Sequence, residues 1–83
     1  MRTSTMRRSV VLVGPQGCGK TLYAPAIANM FGLSRWGDAD TMEGLPPMNT
    51  LILTNAIMPN MQKFRIVQFH DALTQLRLQS DLQ

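Results

Sequence analysis

The feature that most constrains this chain is "VVLVGPQGCGKT", residues 10–21, where an uninterrupted apolar run meets a turn holding three glycines, then a lysine and a threonine. An apolar run without polar alternation suits a strand buried on both faces of a parallel sheet. Gly14, Gly17 and Gly19 permit backbone angles and close approaches that a side chain would block. Successive amide N–H groups can then turn inward as a nest for an anion. Because the nest opens a helix, its unpaired amides and the positive end of the helix dipole face the same anion.

The rest of the chain continues this alternation of strand and helix. From Gly19 to about Phe31 the spacing predicts a helix whose apolar face is Leu22, Tyr23, Ala26, Ile27 and Met30. Pro25 predicts a kink inside it, and Gly32 its stop. Residues 33–38 suit a short strand, and "MEGLPPMN", 42–49, is a loop because Pro46-Pro47 forbids regular pairing. "TLILT", 50–54, and "FRIVQF", 64–69, read as two further strands. A terminal helix is predicted from about Asp71, with Ala72, Leu73 and Leu76 beside Phe69 and with Leu78 and Leu82 pointing elsewhere. The expected fold is α/β: a small, mostly parallel sheet of three to four strands with two helices. Residues 1–8 read as a loose polar leader, and 9–83 as a single domain.

Eighty-three residues allow one domain with a thin core, and 45% hydrophobic residues against 16% charged ones suit a globular chain. No apolar run approaches the roughly 20 residues that cross a bilayer, and the start has no signal-peptide pattern. One cysteine, Cys18, fits a reducing compartment, so a cytoplasmic protein is expected. The net charge of +3 leans toward anionic partners.

Gly14-x-x-x-x-Gly19-Lys20-Thr21, between a strand and a helix, is the phosphate-loop pattern of nucleotide-binding proteins. It predicts a nucleoside triphosphate, ATP or GTP, held by Gly14, Pro15, Gln16, Gly17, Cys18, Gly19, Lys20, Thr21 and Leu22. Lys20 would reach the β- and γ-phosphates, and the Thr21 hydroxyl would ligate Mg²⁺. Asp38 and Asp40, two residues apart, would face one way in an extended segment, where either could serve the metal. A solvated loop explains the same pair, and Glu43 is a further candidate base in a loop. Asn55, closing the 50–54 strand, could orient an attacking water or form a turn. Lys20, Asp40 and Asn55 are thus the candidate catalytic residues, and Thr21 and Asp38 the candidate metal ligands. Cys18 suits either a redox-sensitive thiol or a small filler at a variable position.

Gly14–Thr21 is similar to the Walker A loop of P-loop NTPases. "LILTNAIMPNMQKFRIVQF", 51–69, resembles the strand-to-strand stretch of AAA+ and viral superfamily-three helicase domains. That resemblance implies a γ-phosphate sensor at Asn55 and an arginine finger at Arg65. Asp38-Ala-Asp40 resembles the acidic motif of shikimate-kinase-type kinases, whose first aspartate serves the metal. The whole chain resembles short phage and prophage P-loop proteins. It departs from AAA+ cores in having no apolar run that ends in Asp-Glu and no length for a helical lid. The reading is a minimal nucleotide- and Mg²⁺-binding domain in which hydrolysis, where it occurs at all, is weak and calls on a homo-oligomer or protein partner for missing groups. Two alternatives stand beside it. One is a non-catalytic nucleotide-sensing module. The other is a small basic protein acting on nucleic acid, which needs a clustered basic face, whereas Arg7, Arg8, Lys63, Arg65 and Arg77 are scattered in sequence.

Of the remaining residues, His70 reads as a hydrogen-bonded structural group before a catalytic or pH-sensing one, and Trp36 as core packing before a ring stacked on an adenine. Met42, Met48, Met58 and Met61 suit either a partner surface or gap filling in a thin core, and Leu78 with Leu82 hints at self-association.

Overall fold

The structure, a computed structural model, describes residues 7–15 and 19–81. Its elements are β1 (Val10–Val13), α1 (Lys20–Met30), β2 (Arg35–Asp38), β3 (Thr50–Thr54), β4 (Arg65–Gln68) and α2 (Phe69–Asp81). Single 3-10 turns occupy Ala39–Thr41 and Pro59–Met61. The four strands form one sheet in the order β2-β3-β1-β4, and every pairing is parallel. The expected α/β fold, a parallel sheet with two helices, is what forms.

The unbroken apolar run of β1 follows from its place. It lies between β3 and β4, and all four of its residues are buried. Alternate residues serve opposite faces. Val10 and Leu12 join Leu51, Leu53 and Val67 against Ala24, Ile27 and Ala28 of α1 and Phe69 and Ala72 of α2. Val11 and Ile52 face the other way, onto Met61 and Phe64, with Ala39, Met42, Leu45 and Ile66 packed around them. Both helices therefore cover one face, and the loops after β2 and β3 cover the other. Met61 is core on that second face, whereas Met58 is exposed.

The buried face of α1 differs from the predicted one. Lys20, Ala24, Ile27 and Ala28 are buried, while Leu22 is 77% exposed and Ala26 is exposed. Lys20 must turn toward the strand ends, and this sets the rotation of the helix. Ala24 and Ala28 then supply the small side chains that let the helix lie close on the sheet. Pro25 is exposed, and α1 is continuous across it from Lys20 to Met30. Its end is the predicted one: Gly32 adopts φ +73°, Leu33 N–H donates to Ala28 O at 2.8 Å and Gly32 N–H to Asn29 O at 3.0 Å. This pair of bonds is the Schellman closure, which needs a left-handed residue after the last turn. At the other end of the chain, α2 begins at Phe69 rather than Asp71, directly from the last residue of β4.

Trp36, expected in the core, is 39% exposed, because β2 is the edge strand of the sheet. Arg7 and Arg8, expected in the leader, are tied to the loop before β3. Arg8 bridges Met48, Asn49 N–H donates to Arg7 O at 2.7 Å, and Arg7 N–H donates to Asn49 Oδ1 at 3.0 Å.

The reassigned helix face has a direct test in urea unfolding. Ile27→Ala should cost about 2–4 kcal/mol, as expected for a fully buried isoleucine, and Leu22→Ala less than about 0.5 kcal/mol. Equal losses would show that the predicted face was right.

Candidate functional site

In a parallel sheet all the strands end on the same edge, so the segment leaving each strand meets the segments leaving its neighbours. Here the pairing of β1 with β3 sets the segment after Val13 beside the segment after Thr54. Gly14 N–H donates to Thr54 O at 3.1 Å, which adds one rung to the ladder and fixes how the loop leaves the sheet. The loop re-enters at Gly19, the residue before α1, with φ +95°. Only glycine adopts this conformation without strain. Among the described residues no side chain caps the start of α1, and its first turn has no acidic residue.

Lys20, the first residue of α1, is buried, and its ammonium joins the two strand ends. Nζ donates to Gly14 O at 2.7 Å, to Pro15 O at 2.9 Å and to Asn55 Oδ1 at 3.0 Å. A cleft of about 550 Å³ opens beside it, lined by Gly19, Lys20, Thr21, Asp38, Asp40, Thr41 and Asn55. Six residues predicted from sequence alone for the phosphate loop, the metal or catalysis therefore meet in one cavity. Gln16, Gly17 and Cys18, the middle of the predicted phosphate loop, lie outside the described residues, and both readings of Cys18 lie with them.

Other predicted residues stand differently. Asp38 and Asp40 do not share one extended segment, because β2 ends at Asp38 and Asp40 belongs to the 3-10 turn Ala39–Thr41. Both still line the cleft, brought there by the turn rather than by strand alternation. Leu22 is exposed and outside the cleft. Glu43 lines a second cleft of about 450 Å³ that shares Asp40 and Asn55 with the first. Arg65 starts β4, at the opposite end of the sheet from the cleft. Its guanidinium lies 5.3 Å from the centre of the Phe31 ring, so it does not reach this chain's own cleft. His70 is exposed on the first turn of α2, and its carbonyl accepts the Thr74 hydroxyl at 3.0 Å.

Thr41 is the lining residue that sequence reading missed. Its hydroxyl donates to Asp38 O at 3.0 Å and closes the turn that carries Asp40. The signal was present in "DADT", a short polar turn with a threonine three residues after an aspartate.

A parallel sheet whose central strand runs through a glycine turn into a helix, with a buried lysine at the junction, defines a P-loop nucleotide-binding domain. Residues 10–68, from the start of β1 to the end of β4, match the ATPase family associated with various cellular activities (AAA). That is most of the chain, and the chain belongs to this family. Comparison with curated proteins and with solved structures gives no match. No helix among the described residues is long and apolar enough to cross a membrane.

The loop's backbone demand is separable from its packing. A Cβ at Gly19 would meet nothing closer than the Tyr23 ring at 3.8 Å, so space is available and only φ opposes it. Gly19→Ala should cost about 1–2 kcal/mol in denaturant unfolding. Gly44→Ala, where a Cβ would meet nothing within 4 Å, should change stability by less than about 0.5 kcal/mol.

Proposed function

We propose that this protein binds ATP together with Mg²⁺ in the cleft at the ends of β1, β2 and β3, and hydrolyses it slowly at most. The observation that carries the reading is Lys20, buried and shared between the loop carbonyls of Gly14 and Pro15 and the Asn55 amide. An ammonium held at that junction, on the first residue of α1, can exchange loop carbonyls for phosphate oxygens beside the positive end of the helix dipole. GTP fits the same phosphate contacts, and the family favours ATP.

The donor set suits magnesium. Thr21, Asp38 and Asp40 line the cleft, and no group of three or more His, Cys, Asp or Glu side chains among the described residues could form a protein-only cage. Magnesium is commonly held by one or two carboxylates plus phosphate oxygens and water, and this supply matches that habit. When bound, the ion would neutralise phosphate charge next to the carboxylates. It would be held by Thr21 and Asp38, with Asp40 beside them. One lysine set against two aspartates makes the cleft hostile to a bare triphosphate, so binding should require the metal. Asn55, as acceptor from Lys20 and neighbour of Asp40, is positioned to orient a water.

A second reading, a nucleotide-sensing module without turnover, is favoured by the sequence of β2. "RWGD" is mostly exposed and carries a single aspartate at its end, so Asp40 must come from the following turn. Completion by a second copy or a protein partner accords with this sparse machinery. The single cysteine accords with a cytoplasmic setting.

Titration calorimetry with ATP and GTP, each with Mg²⁺ or with chelator, tests the reading while phosphate release is followed in parallel. Lys20→Ala should weaken Mg²⁺–ATP binding at least tenfold, and unchanged affinity would sink the proposal. Asp38→Asn combined with Asp40→Asn should lose the magnesium requirement, binding ATP in chelator better than the native chain does. Saturation without phosphate release selects the sensing module.

A further inference from the structure

The two ends of the sheet carry opposite charge. Three of the five acidic residues, Asp38, Asp40 and Glu43, stand at or just after the C-terminal end of β2 and line the two clefts there, and a fourth, Asp71, is in the first turn of α2 after β4. Five of the eight basic residues, Arg7, Arg8, Arg35, Lys63 and Arg65, stand at the strand starts, on the opposite edge. All five are exposed. Their separation in sequence hides this; the strand order β2-β3-β1-β4 gathers them into a row. At about 4.8 Å per strand the row spans roughly 14 Å from Arg35 to Arg65.

The row is built rather than accidental. Asn49, in the left-handed region at φ +65°, holds two of its members through the backbone. It exchanges hydrogen bonds with Arg7, and its carbonyl accepts Arg35 N–H at 3.0 Å. Arg65 is held over Phe31, and the Arg7 side chain lies against Gly32, so both also complement the C-terminal end of α1. That local role does not extend to Arg8, Arg35 or Lys63. Trp36, paired with Leu51 and so on the helix face of the edge strand, opposite to Arg35, is 39% exposed. An exposed aromatic ring on the same edge as a set of cations suits single-stranded nucleic acid, with phosphates on the cations and a base on the ring.

We propose that this edge binds the phosphate backbone of a single nucleic-acid strand, at a site separate from the nucleotide cleft and independent of it. Fluorescence anisotropy with a labelled oligo-dT 20-mer, at 50 to 200 mM KCl, tests it on the full chain. The native chain should bind, with affinity falling steeply with salt at about 0.7 log units per log unit of salt for each phosphate contacted. Arg8→Glu, Arg35→Glu and Lys63→Glu together should lower affinity at least tenfold at 50 mM and reduce the slope by about 2. Trp36 fluorescence should be quenched on binding, and saturating Mg²⁺–ATP should leave the oligonucleotide bound. The matching triple glutamine variant gives the same direction if the glutamate variant does not fold.

Three outcomes would overturn the proposal. One is no oligonucleotide binding at 50 mM, including the case where the row instead drives self-association with the acidic end of a second copy. Another is binding that the triple variant leaves unchanged. The third is displacement by Mg²⁺–ATP, which would place the oligonucleotide in the nucleotide cleft.

Discussion

The ammonium of Lys20 is the point on which the functional end of this molecule turns. It ties the carbonyls that follow β1 to the amide that follows β3, and it does so from a buried position where a cation without partners would be costly. The rotation of α1 follows from it, since the helix must start with that side chain turned inward. So does the choice of small residues at Ala24 and Ala28, one and two turns further on, where the same face meets the sheet. A single buried charge thus links loop, helix and neighbouring strand, and a nucleotide could use the same cation without a new scaffold.

The sheet around it is built asymmetrically. Both helices lie on one face, and the second face is closed by the connections after β2 and β3. Those connections perform two tasks at once. Met61, Phe64, Met42 and Leu45 seal Val11 and Ile52 from water, and the same stretches carry Asp40, Glu43 and Asn55 to the edge of the cleft. This also means that Asp40 rests on a turn closed by a local bond, Thr41 to Asp38, rather than on the strand that ends at Asp38.

Much of the fold was legible in the sequence where short-range chemistry decides. The strand Thr50–Thr54 forms over the residues predicted, β1 lies within its apolar run, and Gly32 ends α1 in the left-handed conformation anticipated for it. The meeting of Lys20, Thr21, Asp38, Asp40 and Asn55 was also anticipated as a list. The reason for the aspartates' meeting was not, since a 3-10 turn and not strand alternation brings Asp40 round. Trp36 and Leu22 were misplaced for one common reason. Apolar character says that a residue can be buried, but which elements flank it decides whether it is.

The sequence by itself determined the glycine turn, the lysine after it, and the strand–helix alternation, because each depends on neighbours within a few residues. Only the tertiary structure decided the strand order, and with it which distant residues share an edge. Placing β3 between β1 and β2 brings Asn55 to Lys20 across 35 positions of sequence and gathers five scattered basic residues opposite the cleft. Such juxtapositions depend on how parallel strands are ordered in a sheet, and periodicity along the chain carries no record of that order.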